Sequence, residues 1–391
     1  MSRQIEPSEW LHESAPDLVA ALQPVMVAES EEERDALFRF RYSIYVDELG
    51  RKLGNADHAS RRVHDAEDDK DYTLLLYTLG RDGTVTGTAR LRHWRAGAVN
   101  AKDWDTFSME RFPGLERLGT CEWGRLMVKP DERGQRLLVS LAVALAQLSI
   151  ERGVDVGFIN CAPGLVRHYR RLGFRAYAGR VVATPDGVEV PLVMFLSDVA
   201  YMQQVGSFLA PLADPRYGPD GRAALSLEPF AHLLATDAVP VQVDREAVWD
   251  RVSLLRATAS PRPGVLNALT DETVRKLSDG GFLMSVPAGL LLTEKDLSQR
   301  EIFVILDGTF EVRDGDRRLR VIGPDDVVGE IGFFGTLGRR SASVQAMTDG
   351  QVLVIRRHFL DELRKHDPAC AADILFQLAR ALADRVYTPG D

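Results

Sequence analysis

Cysteine is nearly absent. Cys121, Cys161 and Cys370 are the only three in 391 residues, and no two form a CxxC pair. This scatter excludes a disulfide framework and a cysteine-rich zinc site, so no metal is expected and a reducing compartment is. Lysine is also scarce, supplying seven of the 48 basic residues, and acidic residues outnumber basic ones 57 to 48, for a net charge of −9. A nucleic-acid footprint needs clustered positive charge, so no nucleic-acid partner is expected. No apolar run reaches the roughly eighteen residues that a spanning helix needs, so no integral membrane segment is expected. The first sixteen residues are polar and acidic, unlike a signal peptide, which points to the cytoplasm. No internal repeat is evident.

What is present is ordinary globular composition, 45% hydrophobic and 27% charged, in a chain long enough for two or three domains. Proline and glycine crowd Pro211–Gly221 and Pro261–Gly264, with short helical patterns at Glu228–Leu234 and Arg245–Leu255 between them. The reading is one domain over residues 25–203, a partly helical connector over 204–262, and a second domain over 263–391.

The second domain carries the most specific signal. Gly329-Glu330-Ile331-Gly332 is followed, ten residues after Glu330, by Arg340-Ser341-Ala342. A guanidinium together with Gly-rich backbone N–H groups suits a singly charged cyclic phosphate. A carboxylate beside a phosphate is useful only when it faces a ribose hydroxyl, which is the place for Glu330. Around this stretch, Ile302–Leu306 and Val352–Ile355 read as strands, Phe310–Arg313 and Leu319–Val321 as a hairpin about Asp314-Gly315, and Phe359–Val386 as one helix. The stretch resembles the phosphate-binding cassette of cyclic-nucleotide-binding domains of the catabolite-activator type. The resemblance implies a β-roll with a C-terminal helix. It places Gly329, Glu330, Ile331, Arg340, Ser341 and Ala342 at the nucleotide, cyclic AMP ahead of cyclic GMP, although Ser341 can face either base. Asp325 departs from the pattern, standing where the family's Pro-Gly-Asp turn carries glycine. Few residues follow the helix, too few for a helix-turn-helix, so the output of the sensor is expected upstream.

Upstream, strands and helices alternate: helix Glu31–Leu49, strands Tyr72–Leu79, Thr84–Arg92 and Thr120–Val128, helix Leu137–Arg152, strand Val156–Cys161, helix Gly164–Leu172, and a hairpin Val181–Thr184/Val188–Leu196. This order resembles the GNAT acyltransferases, with Val128–Leu137 and Tyr169-Arg170-Arg171-Leu172-Gly173-Phe174 as the matching segments. The fold class expected for the whole chain is α+β in two domains, a mixed sheet flanked by helices followed by the β-roll.

Five further elements in order resemble acyl-homoserine-lactone synthases and long-chain N-acyl amino acid synthases: Arg41 with Tyr45, Asp65 with Asp68, Gly87-Thr88-Ala89-Arg90-Leu91, Ser108–Leu115, and Glu122-Trp123-Gly124-Arg125. The resemblance implies an N-acyltransferase. Glu122 would act as base on the amine. Arg41, Tyr45, Asp65, Asp68, Arg90 and Arg125 would form an electrostatic cluster on the acceptor side, or a structural ion-pair cluster. Tyr169 is either a core tyrosine or the acid for the leaving sulfur. Met127, Val128, Arg133, Gly134 and Arg136 would bind the acyl donor. Glu122 and Arg125 differ by three positions and share a face only if a bulge intervenes.

Bulk at Arg136 and Leu138 crowds a coenzyme A pyrophosphate, so acyl carrier protein is expected as donor ahead of acyl-coenzyme A. The acceptor expected is a small amine or amino acid. The Trp that the lactone synthases carry is absent, with Arg51 nearby instead, and Gly124 stands at their Ser, which counts against a lactone product. A nucleotide-gated acetyltransferase using coenzyme A, a nucleotide-responsive scaffold without activity, and homodimerisation through the C-terminal helix remain open.

Overall fold

The computed structural model describes residues 3–49, 53–132, 135–179, 181–184, 187–214, 224–234, 241–242, 244–258, 264–296, 301–335 and 339–387. Contacts divide the chain into two compact units. One is Met1–Asn160 with Val166–Gly179 and Pro191–Ala238; the other is Val239–Asp391 with Cys161–Leu165 and Arg180–Val190.

The first unit is built on a mixed sheet. Its strands run in the order Arg3–Ile5, Val25–Val27, Thr73–Leu79, Val85–Trp94, Thr120–Val128, Val156–Cys161 and Gly187–Phe195, the last belonging to this unit from Pro191 on. Pairing is antiparallel as far as Thr120–Val128, then parallel to Val156–Cys161. A parallel neighbour demands a crossover, supplied by the helix Gln135–Glu151. That helix has no Gly or Pro and buries Leu141, Ala142 and Leu145. Its Ser149 hydroxyl donates to the Leu145 carbonyl (2.7 Å) and accepts from the indole N–H of fully buried Trp123 (3.2 Å). The central tryptophan is therefore satisfied inside the core.

The N-terminal residues do more than their polar composition shows. Arg3–Ile5 extends the sheet, Leu11 of the helix Glu9–Ser14 is fully buried, and Gln147 ties this arm down by donating to the Glu6 carbonyl (3.0 Å) and accepting from Ser8 N–H (3.3 Å). One leucine in a six-residue helix gives no periodicity to read, and the anchor lies 139 positions away. Within the stretch expected to be connector, Phe230 and Leu233 join an aromatic core with Phe107, Phe112, Phe158, Tyr177 and Phe195.

The second unit is two antiparallel sheets. One runs Val241–Gln242, Phe282–Val286, Gly350–Arg356, Glu301–Asp307 and Val327–Val328; the other runs Leu291–Thr293, Ser343–Ala346, Phe310–Asp314 and Arg317–Ile322. Helices Arg245–Ala257 and Asp271–Gly280 pack Val248, Val252, Val274 and Leu277 into the core that holds Ile302, Val304 and Leu353. The expected single helix over Phe359–Val386 is two, Arg357–His366 and Pro368–Tyr387. Pro368 lacks an N–H and disfavours a helical residue before it, so Asp367 ends one helix and its carboxylate caps Cys370 N–H (3.1 Å) at the start of the next.

Gly119 opens the strand Thr120–Val128, and its backbone exchanges hydrogen bonds with Asp155. A Cβ at Gly119 would lie 2.1 Å from the Gly153 carbonyl oxygen, a backbone atom that cannot step aside. Gly119→Ala should therefore cost about 1–3 kcal/mol of stability. Urea unfolding should show a lower midpoint at unchanged slope.

Candidate functional site

The helix Glu31–Tyr42 begins with a capping box, in which Ser30 Oγ accepts from Glu33 N–H (3.2 Å) and Glu33 accepts from Ser30 N–H (2.8 Å). It carries fully buried Arg41 in its last turn and runs into a π-helical turn, Ser43–Glu48, that carries Tyr45. A second short turn, Ala66–Asp69, is capped by Asp65, while Asp68 accepts from Asp65 N–H (3.0 Å). The two acids are thus held in place by the backbone they cap.

Arginines from the sheet meet these acids. Arg90 Nη1 donates to both Asp65 oxygens (2.9 and 3.0 Å) and to Asp68 Oδ1 (3.3 Å). Arg41 Nη1 donates to Asp68 Oδ2 (2.8 Å). Arg125 Nη2 donates to Asp65 Oδ2 (2.8 Å), and its Nη1 donates to the Tyr45 hydroxyl (3.3 Å). Glu122 is bound by Arg92 Nε and lies 3.6 Å from Arg90 Nη2. All six cluster residues expected from sequence come together, with Glu122 at their side.

The bulge that this requires is present. Arg90 faces Gly124 and Thr88 faces Met127, so Arg125 and Leu126 together stand opposite Ala89. Arg125 takes a left-handed conformation, φ 52°. The extra residue turns Arg125 onto the face of Glu122. Parallel pairing with the next strand covers Thr120–Glu122.

Three members were not legible: Arg92, Asp103 and Glu67. Arg92 forms a two-pronged pair with Asp103 (2.8 and 2.8 Å) and reaches Glu67 (3.1 Å). The signal was there for Arg92, two residues after Arg90 and so on the same strand face. Tyr169 is buried, with its ring edge-on to Phe174, which in turn packs against Trp123. Arg136 is exposed in the first turn of its helix. Arg133 and Gly134 lie outside the described residues.

Burial opposes charge on Asp65, Glu122 and Arg41. For Asp65 it is outweighed by Arg90 and Arg125, which hold the carboxyl well below the usual range. For Glu122 it is outweighed by Arg90 and Arg92, again lowering the pKa. For Arg41 burial prevails over Asp68, and the guanidinium is lowered.

In the second unit the cassette centres on Arg340 and Glu330, each 3% exposed. Gly329 has φ 95°, and a Cβ there would sit 1.9 Å from Arg340 Nη1, so both conformation and space demand glycine. Arg340 Nη2 donates to the Glu301 carbonyl (2.8 Å), and its guanidinium lies 5.5 Å from the centre of the Phe303 ring. Burial pushes its pKa down to about 10, against the pull of Glu301 and Glu330. Ser341 is exposed, Ala342 half-buried, and Ile331 45% exposed. The cassette residues 336–338 lie outside the described residues. Asp325, which replaces the expected glycine, holds that residue's left-handed conformation at φ 68°.

Two family models match the chain: that of the N-acyl amino acid synthase FeeM over residues 36–198, and that of the cyclic nucleotide-binding domain over residues 283–367. An acyl-homoserine-lactone synthase of Ralstonia nicotianae is 28% identical over 152 residues, covering 36% of this chain and 71% of that protein. The Pycsar effector protein BcPycTIR of Burkholderia cepacia is 31% identical over 111 residues, 28% of this chain; the match spans only 35% of that relative's length. The solved structure of FeeM, an N-acyl amino acid synthase from uncultured soil microbes, aligns with a TM-score of 0.35 at 15% identity, covering 48% of this chain and 95% of that one.

Removing one partner of a buried ion pair leaves the other charge uncompensated, at a cost of about 3–5 kcal/mol. Asp68→Asn should lose stability on that scale, since Asp68 is the acid bonded to fully buried Arg41. Acid should act in the same direction. Asp65 and Glu122 have lowered pKa values, so their contribution is complete above the unfolded values near 4 and is lost as pH falls through the folded ones. Urea midpoints should be flat from about pH 7 to 5 and fall below about pH 4.

Proposed function

We propose, from the premise that residues 36–198 form an N-acyltransferase domain of the N-acyl amino acid synthase kind and residues 283–367 a cyclic-nucleotide-binding domain, that this chain makes long-chain N-acyl amino acids under cyclic-nucleotide control. One observation carries the acceptor class. The cluster gathers Arg41, Arg90, Arg92 and Arg125 against Asp65, Glu67, Asp68, Asp103 and Glu122. Acids exceed arginines by one, so an ammonium completes the balance, and adjoining guanidinium groups suit a carboxylate. An amino-acid zwitterion offers both.

In the reaction, the amine nitrogen attacks the thioester carbonyl carbon, the carbonyl oxygen takes negative charge, and the C–S bond then breaks. Backbone N–H groups near Met127 and Val128 hold that oxyanion. Tyr169 gives a proton to the departing thiolate and takes back the second proton that the nitrogen sheds as the amide forms. Glu122, through water, receives the proton that the ammonium must lose. Its lowered pKa makes it a weak base, so turnover should depend on the amine's own ionisation. The kcat/KM should rise with pH towards the amine pKa, with no inflection between about pH 5 and 7. Glu122→Gln should lower kcat about 100-fold or more. A clear Glu122-dependent inflection near neutrality would contradict this role.

Acyl carrier protein is the donor proposed. Carrier proteins are acidic, and exposed Arg136, with Lys129 and Arg133 near it in sequence, offers basic charge on an acidic chain. Neutralising Arg133 and Arg136 should raise KM for acyl carrier protein and flatten its salt dependence. Mass spectrometry of lipid extracts from overexpressing cells should show a new N-acyl amino acid series.

Arg340 and Glu330 are proposed to bind the cyclic phosphate and the ribose hydroxyl, with cyclic AMP preferred over cyclic GMP. Arg340→Ala removes a charge-assisted contact of about 1.5–3 kcal/mol, a roughly 10- to 150-fold loss of affinity. Calorimetry should show that loss, and turnover should respond to nucleotide in the wild type but not in the variant at equal nucleotide concentration.

A further inference from the structure

The side chain of Asp325 leaves its turn. Its backbone is fixed to the strand Glu301–Asp307: Asp325 N–H donates to the Ile305 carbonyl (2.8 Å), and Ile305 N–H donates to the Asp326 carbonyl (2.9 Å). The same strand supplies the Glu301 carbonyl that holds Arg340, and the chain passes from Asp325 through Val327–Val328 directly to Gly329 and Glu330.

The carboxylate points elsewhere. Oδ1 accepts from Leu266 N–H (2.8 Å), and Oδ2 accepts from Asn267 N–H (3.2 Å) and from the Asn267 amide (2.8 Å). These groups lie between the helices Arg245–Ala257 and Asp271–Gly280, in a segment whose Val265, Leu266 and Leu269 are buried. The fit is tight, since a Cβ on Gly264 would fall 2.2 Å from Asp325 Cγ. Asp325 itself is 5% exposed. A left-handed aspartate is a costlier way than glycine to make this turn. Glycine, however, could not supply three hydrogen bonds to a segment about 58 positions earlier.

We propose that Asp325 is a positioning residue that couples the nucleotide cassette to residues 264–267 and, through them, to the helix Arg245–Ala257. That helix precedes the sensor in the chain and follows the acyltransferase, so it is the covalent route between the two activities. The proposal rests on the nucleotide-binding reading above. When a ligand engages Arg340, the strand holding Glu301 and Ile305 shifts, the Asp325 carboxylate moves with it, and the segment it grips follows.

Asp325→Gly separates this role from a structural one. Glycine keeps the left-handed backbone without strain, so the turn survives while the grip is lost. In the full-length protein, calorimetry with cyclic AMP, cyclic GMP and cyclic CMP should give dissociation constants within about twofold of wild type. Hydrogen–deuterium exchange should then differ. Nucleotide should change protection of residues 245–258 in the wild type, and this change should vanish in Asp325→Gly. Asp325→Asn, which keeps one acceptor oxygen and tolerates the same φ, should restore part of it. The nucleotide effect on turnover should fall at least fivefold in Asp325→Gly.

If Asp325→Gly binds nucleotide and still transmits the full protection change to 245–258, the coupling role is wrong and Asp325 is only a staple. If the variant binds at least tenfold more weakly, Asp325 belongs to the binding site and the proposal also falls. If the wild type binds none of the three nucleotides, the nucleotide-binding reading fails, and the coupling falls with it by a distinguishable route.

Discussion

The first unit's candidate site depends on one shared carboxylate. Asp65 caps a short turn, takes both prongs of its contact from a single Arg90 nitrogen, and accepts from Arg125 across the bulge. Two arginines on adjacent strands would repel if brought together alone. The acid between them turns that repulsion into a bonded array, and burial makes each pairing obligatory. The geometry of strand, bulge and capped turn can therefore be read as the solution of one electrostatic problem. Arg90 must meet Asp65, and only the extra residue at Arg125 lets the next strand join it on the same face.

The second unit's cassette buries fewer charged side chains. Arg340 is nearly fully buried and its charged form is disfavoured there, while the neighbouring Glu330 is buried as well. A network of many partners holds its geometry whether or not substrate is bound. A guanidinium whose charged form burial disfavours is sensitive to one incoming anion. That contrast fits a reaction site in the first unit and a sensing site in the second, as proposed.

The strands were the most legible part of the chain, and for a physical reason. Thr120–Val128 and Val156–Cys161 coincide with their apolar patterns because both are core strands. The cluster residues were legible where resemblance marked them and invisible where only geometry did, as at Asp103, whose place beside Arg92 depends on how the helix Ala101–Thr106 packs. The bulge beside Arg125 follows from face matching, since Glu122 and Arg125 have to be reconciled, but the left-handed conformation of Arg125 does not. The N-terminal arm was illegible because its anchor, Gln147, sits on a helix far along the chain. The terminal helix was read as continuous because its apolar spacing runs through Pro368, while the backbone does not.

That interruption at Asp367 has a mechanical meaning. Pro368–Tyr387 contains 20 residues, which at 1.5 Å per residue makes a rod about 30 Å long. The rod turns on a single non-helical residue, and the Lys276 ammonium grips that residue's carboxylate at 2.7 Å. A pivot of about 10° at such a fulcrum sweeps the far tip through about 5 Å, given that length. Any shift of that fulcrum would be magnified along the rod in the same proportion.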